Sequence, residues 1–270
     1  MSNLLKWSGS KDSQVKEISS FIPKDIENYY EPFVGGGSVF LYLLENSNIK
    51  NFYISDFNED LINIYKLIQD DPITLIWEYK KHYEKFNLEE DTLENRKKYF
   101  TKIRKKYNED RDPSDFYWIM RTTTNGMPRY NQKSEFNNSC HFSRPGMTPY
   151  KVEKIILKYS KLFNEKNVIF YTSNYHDIET TDFMYCDPPY ANTKGMYFSN
   201  FNNDEFIDWL NSQESKWLLS YDGKVNDVEM EHKKPEFKRH EYLKSGNSSF
   251  RRVIGNSNDS IVYESIYINY

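Results

Sequence analysis

The chain has 270 residues, 38% of them hydrophobic and 28% charged, with a formal net charge of −4. It contains no run of 18 apolar residues, which excludes a membrane-spanning helix, and its start, interrupted by Lys6 and Lys11, lacks the apolar core of a secretory signal. Two cysteines, Cys140 and Cys186, lie at no metal-ligand spacing. Neither a metal site nor a disulfide framework is expected, and cysteine usage points to a reducing cytoplasm.

In chain order, residues 28–34 are a strand candidate that runs into Gly35, Gly36 and Gly37. Residues 38–45 are apolar and helix-like, and residues 51–55 read as a second strand ending at Asp56. From about residue 61 to 117, apolar positions recur three and four apart between charges, as amphipathic helices require. Residues 121–149 lose that period and are punctuated by Gly and Pro, so they read as loop and hairpin. Residues 151–163 return to helix. Residues 168–171, 182–186, 217–220 and 260–268 are further strands. Strands alternating with helices predict an α/β chain with a mostly parallel sheet, interrupted by a helical insertion of roughly 100 residues. The expected domains are 1–60 joined to 160–270, and an inserted 61–159.

Charge is unevenly distributed. Between Arg96 and Lys161 stand 16 Lys or Arg against 6 Asp or Glu, so the rest of the chain is strongly acidic. A basic segment in an acidic protein is the footprint of a nucleic-acid-facing insert, and Lys97, Lys98, Lys105 and Lys106 are its densest run. The same run also reads as a solvated helix face.

The first site candidate is Glu31-Pro32-Phe33-Val34-Gly35-Gly36-Gly37-Ser38. Three glycines after a strand permit a tight turn and close approach of backbone to a ligand, and Asp56 at the end of the next strand can bind a ribose diol. This suits any adenosine-containing cofactor, or a structural turn. Trp7 and Lys11 in KWSGSK can offer an aromatic ring to a sulfonium and a cation to a carboxylate, or form only a solvated arm.

The sharper signal is Tyr185-Cys186-Asp187-Pro188-Pro189-Tyr190. Two prolines force a stiff, extended exit from a strand. The loop presents a carboxylate, proline carbonyls and a ring. Adenine's amino group is a poor nucleophile because its lone pair is delocalised. Acceptors at Asp187 and the Pro188 carbonyl would favour a pyramidal nitrogen and bear the charge that develops on it. Tyr190 would stack on a base turned out of the duplex. Cys186 is expected to be a small buried residue, and the five histidines show no ligand spacing.

In this order KWSGSK, EPFVGGGSVF, SDFNEDLI and YCDPPY resemble the Dam-type, α-group DNA adenine-N6 methyltransferases over nearly the whole chain. The resemblance implies a Rossmann-like S-adenosylmethionine-dependent sheet with an added antiparallel strand. It also implies an inserted, mostly helical target-recognition domain containing a hairpin. The implied cofactor is S-adenosyl-L-methionine, faced by Trp7, Lys11, Glu31, Pro32, Phe33, Gly35, Gly36, Gly37, Ser38, Asp56, Tyr175 and Asp187. Asp187 to Tyr190 match the family's catalytic motif. Asn125, Met127, Arg129, Asn131, Asn137 and Ser139 fall in its DNA-reading hairpin. There Arg129 stands where the family sets an Arg against guanine, although an Arg at this position also serves as a phosphate contact. Thr124 and Ser139 replace an aromatic and a proline of GATC-methylating members, so GATC specificity does not follow. Double-stranded DNA is the implied partner, with a cognate restriction endonuclease a further candidate and a bacterium, or a phage in its host, the implied setting. Competing readings are an N4-cytosine or RNA-adenine methyltransferase, a nucleotide-binding oxidoreductase, and a non-catalytic DNA-binding protein. The missing G-x-G-x-x-G spacing counts against the oxidoreductase, and the intact Asp187–Tyr190 set against the last.

Overall fold

The structure is a computed structural model that describes residues 4–89, 92–124, 126, 128–141, 143, 146–180, 182–190, 201–245 and 261–270. Among these, the strands are β1 (Asn28–Glu31), β2 (Asn51–Asp56), β3 (Asn167–Thr172), β4 (Phe183–Cys186), β5 (Lys216–Val225), β6 (Val228–Glu229), β7 (Arg239–Lys244) and β8 (Val262–Ile268). The α-helices are α1 (Val15–Phe21), α2 (Ser38–Asn46), α3 (Glu59–Asp70), α4 (Pro72–Glu84), α5 (Leu93–Asp110), α6 (Pro113–Thr122), α7 (Pro149–Glu165) and α8 (Asn203–Asn211). By packing, the chain divides into two compact units. Met1–Ser10, Gly35–Gly37 and Asn58–Thr172 form the helical unit; Lys11–Val34, Ser38–Phe57 and Ser173–Tyr270 form the sheet unit.

The sheet unit orders its strands β2-β1-β4-β5-β8-β7, with β6 on β5. The first four run parallel, and β8 is antiparallel to both β5 and β7. The inner strands are buried almost throughout, β4 as the apolar run Phe-Met-Tyr-Cys and β1 with Tyr29, Tyr30 and Glu31 all buried, as expected of strands covered on both faces. Tyr29 of β1 stacks on Phe183 of β4 and tilts against Phe52 of β2, so rings tie the three strands together. β1 stops at Glu31, short of the expected Val34, because Pro32 has no N–H for the ladder. α2 buries Val39, Phe40, Leu41, Leu43 and Leu44, with Phe40 edge-on to Phe52.

The helical unit is built from α3 to α7, with α3 and α7 packed on β3. Its helix starts follow local chemistry. Asn58, Asp71, Thr92 and Asp112 accept hydrogen bonds from the first-turn amides, and Pro72 and Pro113 occupy first-turn positions. α6 is buried throughout, and its Trp118 sits among His82, Phe86, Tyr99 and Phe100. A polar thread crosses this core. Tyr99 pairs with His82 Nδ1 (2.8 Å), His82 Nε2 with Asp115 Oδ1 (2.8 Å), and Lys106 Nζ with Asp115 Oδ2 (2.6 Å). Burial alone would raise the Asp115 carboxyl, but the bonds from His82 and Lys106 outweigh it and hold the group below its ordinary value.

A depressed carboxyl contributes stability above its unfolded pKa, about 3.9, and loses it as pH falls through the lower folded value. Asp115→Asn is therefore expected to cost about 1–3 kcal/mol at neutral pH. In urea titrations the difference from the parent protein should close in acid, and a difference constant down to pH 3 would contradict the ionic account.

Candidate active site and nucleic-acid interface

In the sheet unit, three carboxylates close three adjacent parallel strands at one edge. Glu31 ends β1, Asp56 ends β2 and Asp187 follows the last residue of β4. Ligands lodge outside this carboxyl edge in open α/β sheets. Lys11, delivered by the segment ahead of α1, places Nζ 2.7 Å from Asp187 Oδ2 and 3.8 Å from Glu264 Oε2 of β8. It also lies over the Tyr190 ring, 5.1 Å from the centroid. The Lys11 side chain is 7% exposed and that of Asp187 18%, so water screens the pair little. Burial pushes the Asp187 carboxyl above the ordinary carboxylate range; Lys11 pulls it back, and Glu264 adds to the rise. Glu31 is raised further by burial, against a hydrogen bond donated by Tyr29 Oη at 2.5 Å.

Around this edge, Tyr190 meets Tyr221 edge-on at 5.8 Å. Phe33 and Tyr175 join one aromatic cluster with Phe206, 5.7 Å apart. Cys186 is fully buried, and burial raises its thiol, which keeps it from acting as a nucleophile.

In the helical unit, Gly35 and Gly37 take φ of +47° and +71°, conformations that disfavour side chains. A Cβ on Gly36 would stand 3.1 Å from Trp7 Cβ, and one on Gly35 3.2 Å from Trp7 Cδ1, so the turn lies tightly on that indole. Tyr65 Oη donates to the Gly35 carbonyl at 3.0 Å. The same arm binds the loop after α6: Ser8 N donates to Gly126 O (3.0 Å), and Lys6 Nζ donates to the Thr123 carbonyl.

The loop-and-hairpin segment carries two bridges, Thr123 with Cys140 and Tyr130 with Phe136. Arg129, Asn131, Asn137 and Ser139 are exposed on it. Asn125 and Met127 lie outside the described residues. Lys97, Lys98, Lys105 and Lys106 are exposed on α5, where Lys98, Lys105 and Lys106 pair with Glu94, Glu109 and Asp110.

The model of one protein family, D12 class N6 adenine-specific DNA methyltransferase, matches residues 7–254. A type II methyltransferase, M.MjaIII of Methanocaldococcus jannaschii, is 32% identical over 76% of this chain and 74% of its own length. The DNA adenine methylase of Vibrio cholerae is 33% identical over 69% of this chain and 64% of its own, so the chain spans just under two thirds of that relative. M.CviBI, a type II methyltransferase of Paramecium bursaria Chlorella virus NC1A, is 27% identical over 89% and 93%. The chain belongs to the D12 class of N6 adenine-specific DNA methyltransferases. Membership implies S-adenosylmethionine as methyl donor and DNA as the molecule acted on. The acidic strand edge fits that cofactor chemically, since it offers carboxylates to an ammonium, a sulfonium and a ribose diol.

Two features lie outside the sequence motifs. Glu264 was hidden because its strand is remote from Lys11 in sequence, and no spacing rule joins them. Arg104, Asn108 and Arg111 belong to no motif, since no spacing rule shows that they bind the main chain of the hairpin.

Lys11→Met removes the cation that lowers the Asp187 carboxyl. The Asp187 pKa, followed by carbon NMR, is expected to rise further above its already raised value. No movement would mean that the ion pair does not persist in solution.

Proposed function

We propose that this chain transfers the methyl group of S-adenosylmethionine to N6 of an adenine turned out of double-stranded DNA. The observation that carries the reading is the buried pairing of Lys11 with Asp187 at the mouth of the Asp187-Pro188-Pro189-Tyr190 loop, on an acidic parallel edge. When bound, S-adenosylmethionine supplies a methyl already activated on a sulfonium. The chain's own residues do the positioning. Lys11 holds Asp187 Oδ2, and the carboxylate accepts from one amino hydrogen of adenine through its second oxygen. The Pro188 carbonyl accepts the other. Together they offset the charge that develops on the nitrogen. A carboxylate whose proton affinity burial has raised is also a better acceptor for the proton the nitrogen sheds. Tyr190, backed by Tyr221, gives the base a face to stack on.

For the cofactor we assign Trp7, Lys11, the residues from Glu31 to Phe33 and from Gly35 to Ser38, Asp56, Tyr175 and Asp187. For DNA we assign the 61–159 segment as the target-recognition domain. In it Asn125, Met127, Arg129, Asn131, Asn137 and Ser139 read or position bases, and Lys97, Lys98, Lys105 and Lys106 meet phosphates. The exposure of Arg129 and the four lysines supports this assignment. The type II relatives favour a cognate restriction endonuclease as a partner.

Incubation with labelled S-adenosylmethionine and unmethylated DNA is expected to yield N6-methyladenine at one short motif, read by nucleoside mass spectrometry and sequencing. Asp187→Ala should abolish it while the protein stays folded. N4-methylcytosine as the product would overturn the substrate assignment. Changing Lys97, Lys98 and Lys105 to Gln is expected to flatten the salt dependence of DNA binding, by about 0.9 in log–log slope for each phosphate no longer neutralised. An unchanged slope would remove α5 from the interface.

A further inference from the structure

The hairpin that displays Arg129 does not stand alone. Asn131 N donates to Glu135 O and Asn137 N to Arg129 O, both at 2.9 Å, which places Tyr130 and Phe136 opposite each other between hydrogen-bonded rungs. In such a ladder the N–H and C=O of Phe136 point away from the partner strand and need a neighbour. One side chain meets both. Asn108 of α5 accepts from Phe136 N at Oδ1 (2.8 Å) and donates from Nδ2 to Phe136 O (3.0 Å), as an adjoining strand would. A carboxamide is the smallest side chain with a donor and an acceptor side by side.

Asn108 is the middle of a row. Four residues before it, Arg104 Nη1 donates to Asn138 O (2.8 Å) and Asn137 O (3.3 Å). Three residues after it, Arg111 Nη2 donates to Ser134 O (2.5 Å), while its Nη1 pairs with Asp60 Oδ2 (3.2 Å). The spacing of four puts Arg104 and Asn108 on one face of α5, and Arg111, which caps the end of the helix in a left-handed conformation (φ +56°), continues the row. The Asn138 side chain returns to the hairpin and accepts from Arg129 N at 2.6 Å. The Phe136 ring closes the joint, edge-on to Tyr107 and Phe116. The main chain on both sides of Arg129 is thus registered to α5, while the Arg129 side chain stays exposed.

We propose that Asn108, with Arg104 and Arg111, is a specificity-determining positioning row: it fixes the register of the hairpin and so the point at which Arg129 meets a base. This rests on the reading of the hairpin as the DNA-reading element. A bidentate Arg–guanine contact tolerates little displacement, so loosening the register costs discrimination between sites more than it costs overall attraction to phosphate, which is geometrically forgiving.

The test compares the parent protein with Asn108→Leu, Asn108→Asp and Arg129→Met, all full length. The motif is first taken from the modified positions in methylated DNA. Fluorescence anisotropy then gives the affinity ratio for duplexes that carry the motif and duplexes altered at one base pair. Asn108→Leu is expected to lower that ratio about tenfold, with affinity for non-specific DNA unchanged. Asn108→Asp keeps the acceptor for Phe136 N and loses the donor, so it should fall between. If Asn108→Leu does not fold, the Asp variant decides by the same measure. A ratio unchanged in the Asn108 variants while Arg129→Met loses it would overturn the positioning role and leave the hairpin reading standing. A ratio unchanged in Arg129→Met as well would overturn both. Equal losses on specific and non-specific duplexes would mark Asn108 as merely structural and also overturn the proposal.

Discussion

The site depends on one buried ion pair, Lys11 with Asp187. Taking either charge out of water costs several kcal/mol, and only a close partner repays it. Glu31, Asp187 and Glu264 place three carboxylates around a single lysine, so the cation is shared. Burial, only partly offset by Lys11, leaves Asp187 more basic than an exposed aspartate, the state that the proposed acceptor role calls for. The sharing explains why a residue ahead of the first helix belongs to the edge of the sheet. Without Lys11 the strand ends would set like charges against one another.

The two units solve different problems with the same backbone chemistry. In the sheet unit, parallel strands bring carboxylates remote in sequence to one edge, because parallel pairing aligns carboxyl ends. In the helical unit, a short hairpin has an edge whose amide and carbonyl need partners, and α5 supplies them from side chains. Within α5 and its cap, the row at 104, 108 and 111 holds main chain, while Lys98 and Lys105, about a quarter-turn round the helix, are exposed.

The lysines show why local charge matters more than the total. Most stand in exposed pairs four residues from a carboxylate, and such pairs are worth little to stability. Their contribution is to the field of the segment, where Lys and Arg outnumber acids by 16 to 6. Lys106 differs, since it reaches Asp115 in the core thread with His82. Its charge serves the fold of the helical unit as well as its surface.

The order of amino acids is enough to settle the family, the chemistry and most of the elements. EPFVGGGS and DPPY act through local backbone properties: positive φ at glycine, the missing N–H of proline, and a carboxylate at a strand end. Periodicity likewise marked α2, the helical stretch that divides into α3 to α6, α7 and the buried strands. α1, α8 and the edge strand β7 were not legible, the last because Arg-His-Glu-Tyr-Leu-Lys is half-exposed and lacks clean alternation. Packing in three dimensions selects which acids surround Lys11, which ring lies on the glycine turn, and which helix face holds the hairpin. Those choices join residues far apart in the chain, as Lys11 and Glu264 are. No rule of local spacing carries such a pairing; only the order and direction of the packed strands and helices creates it.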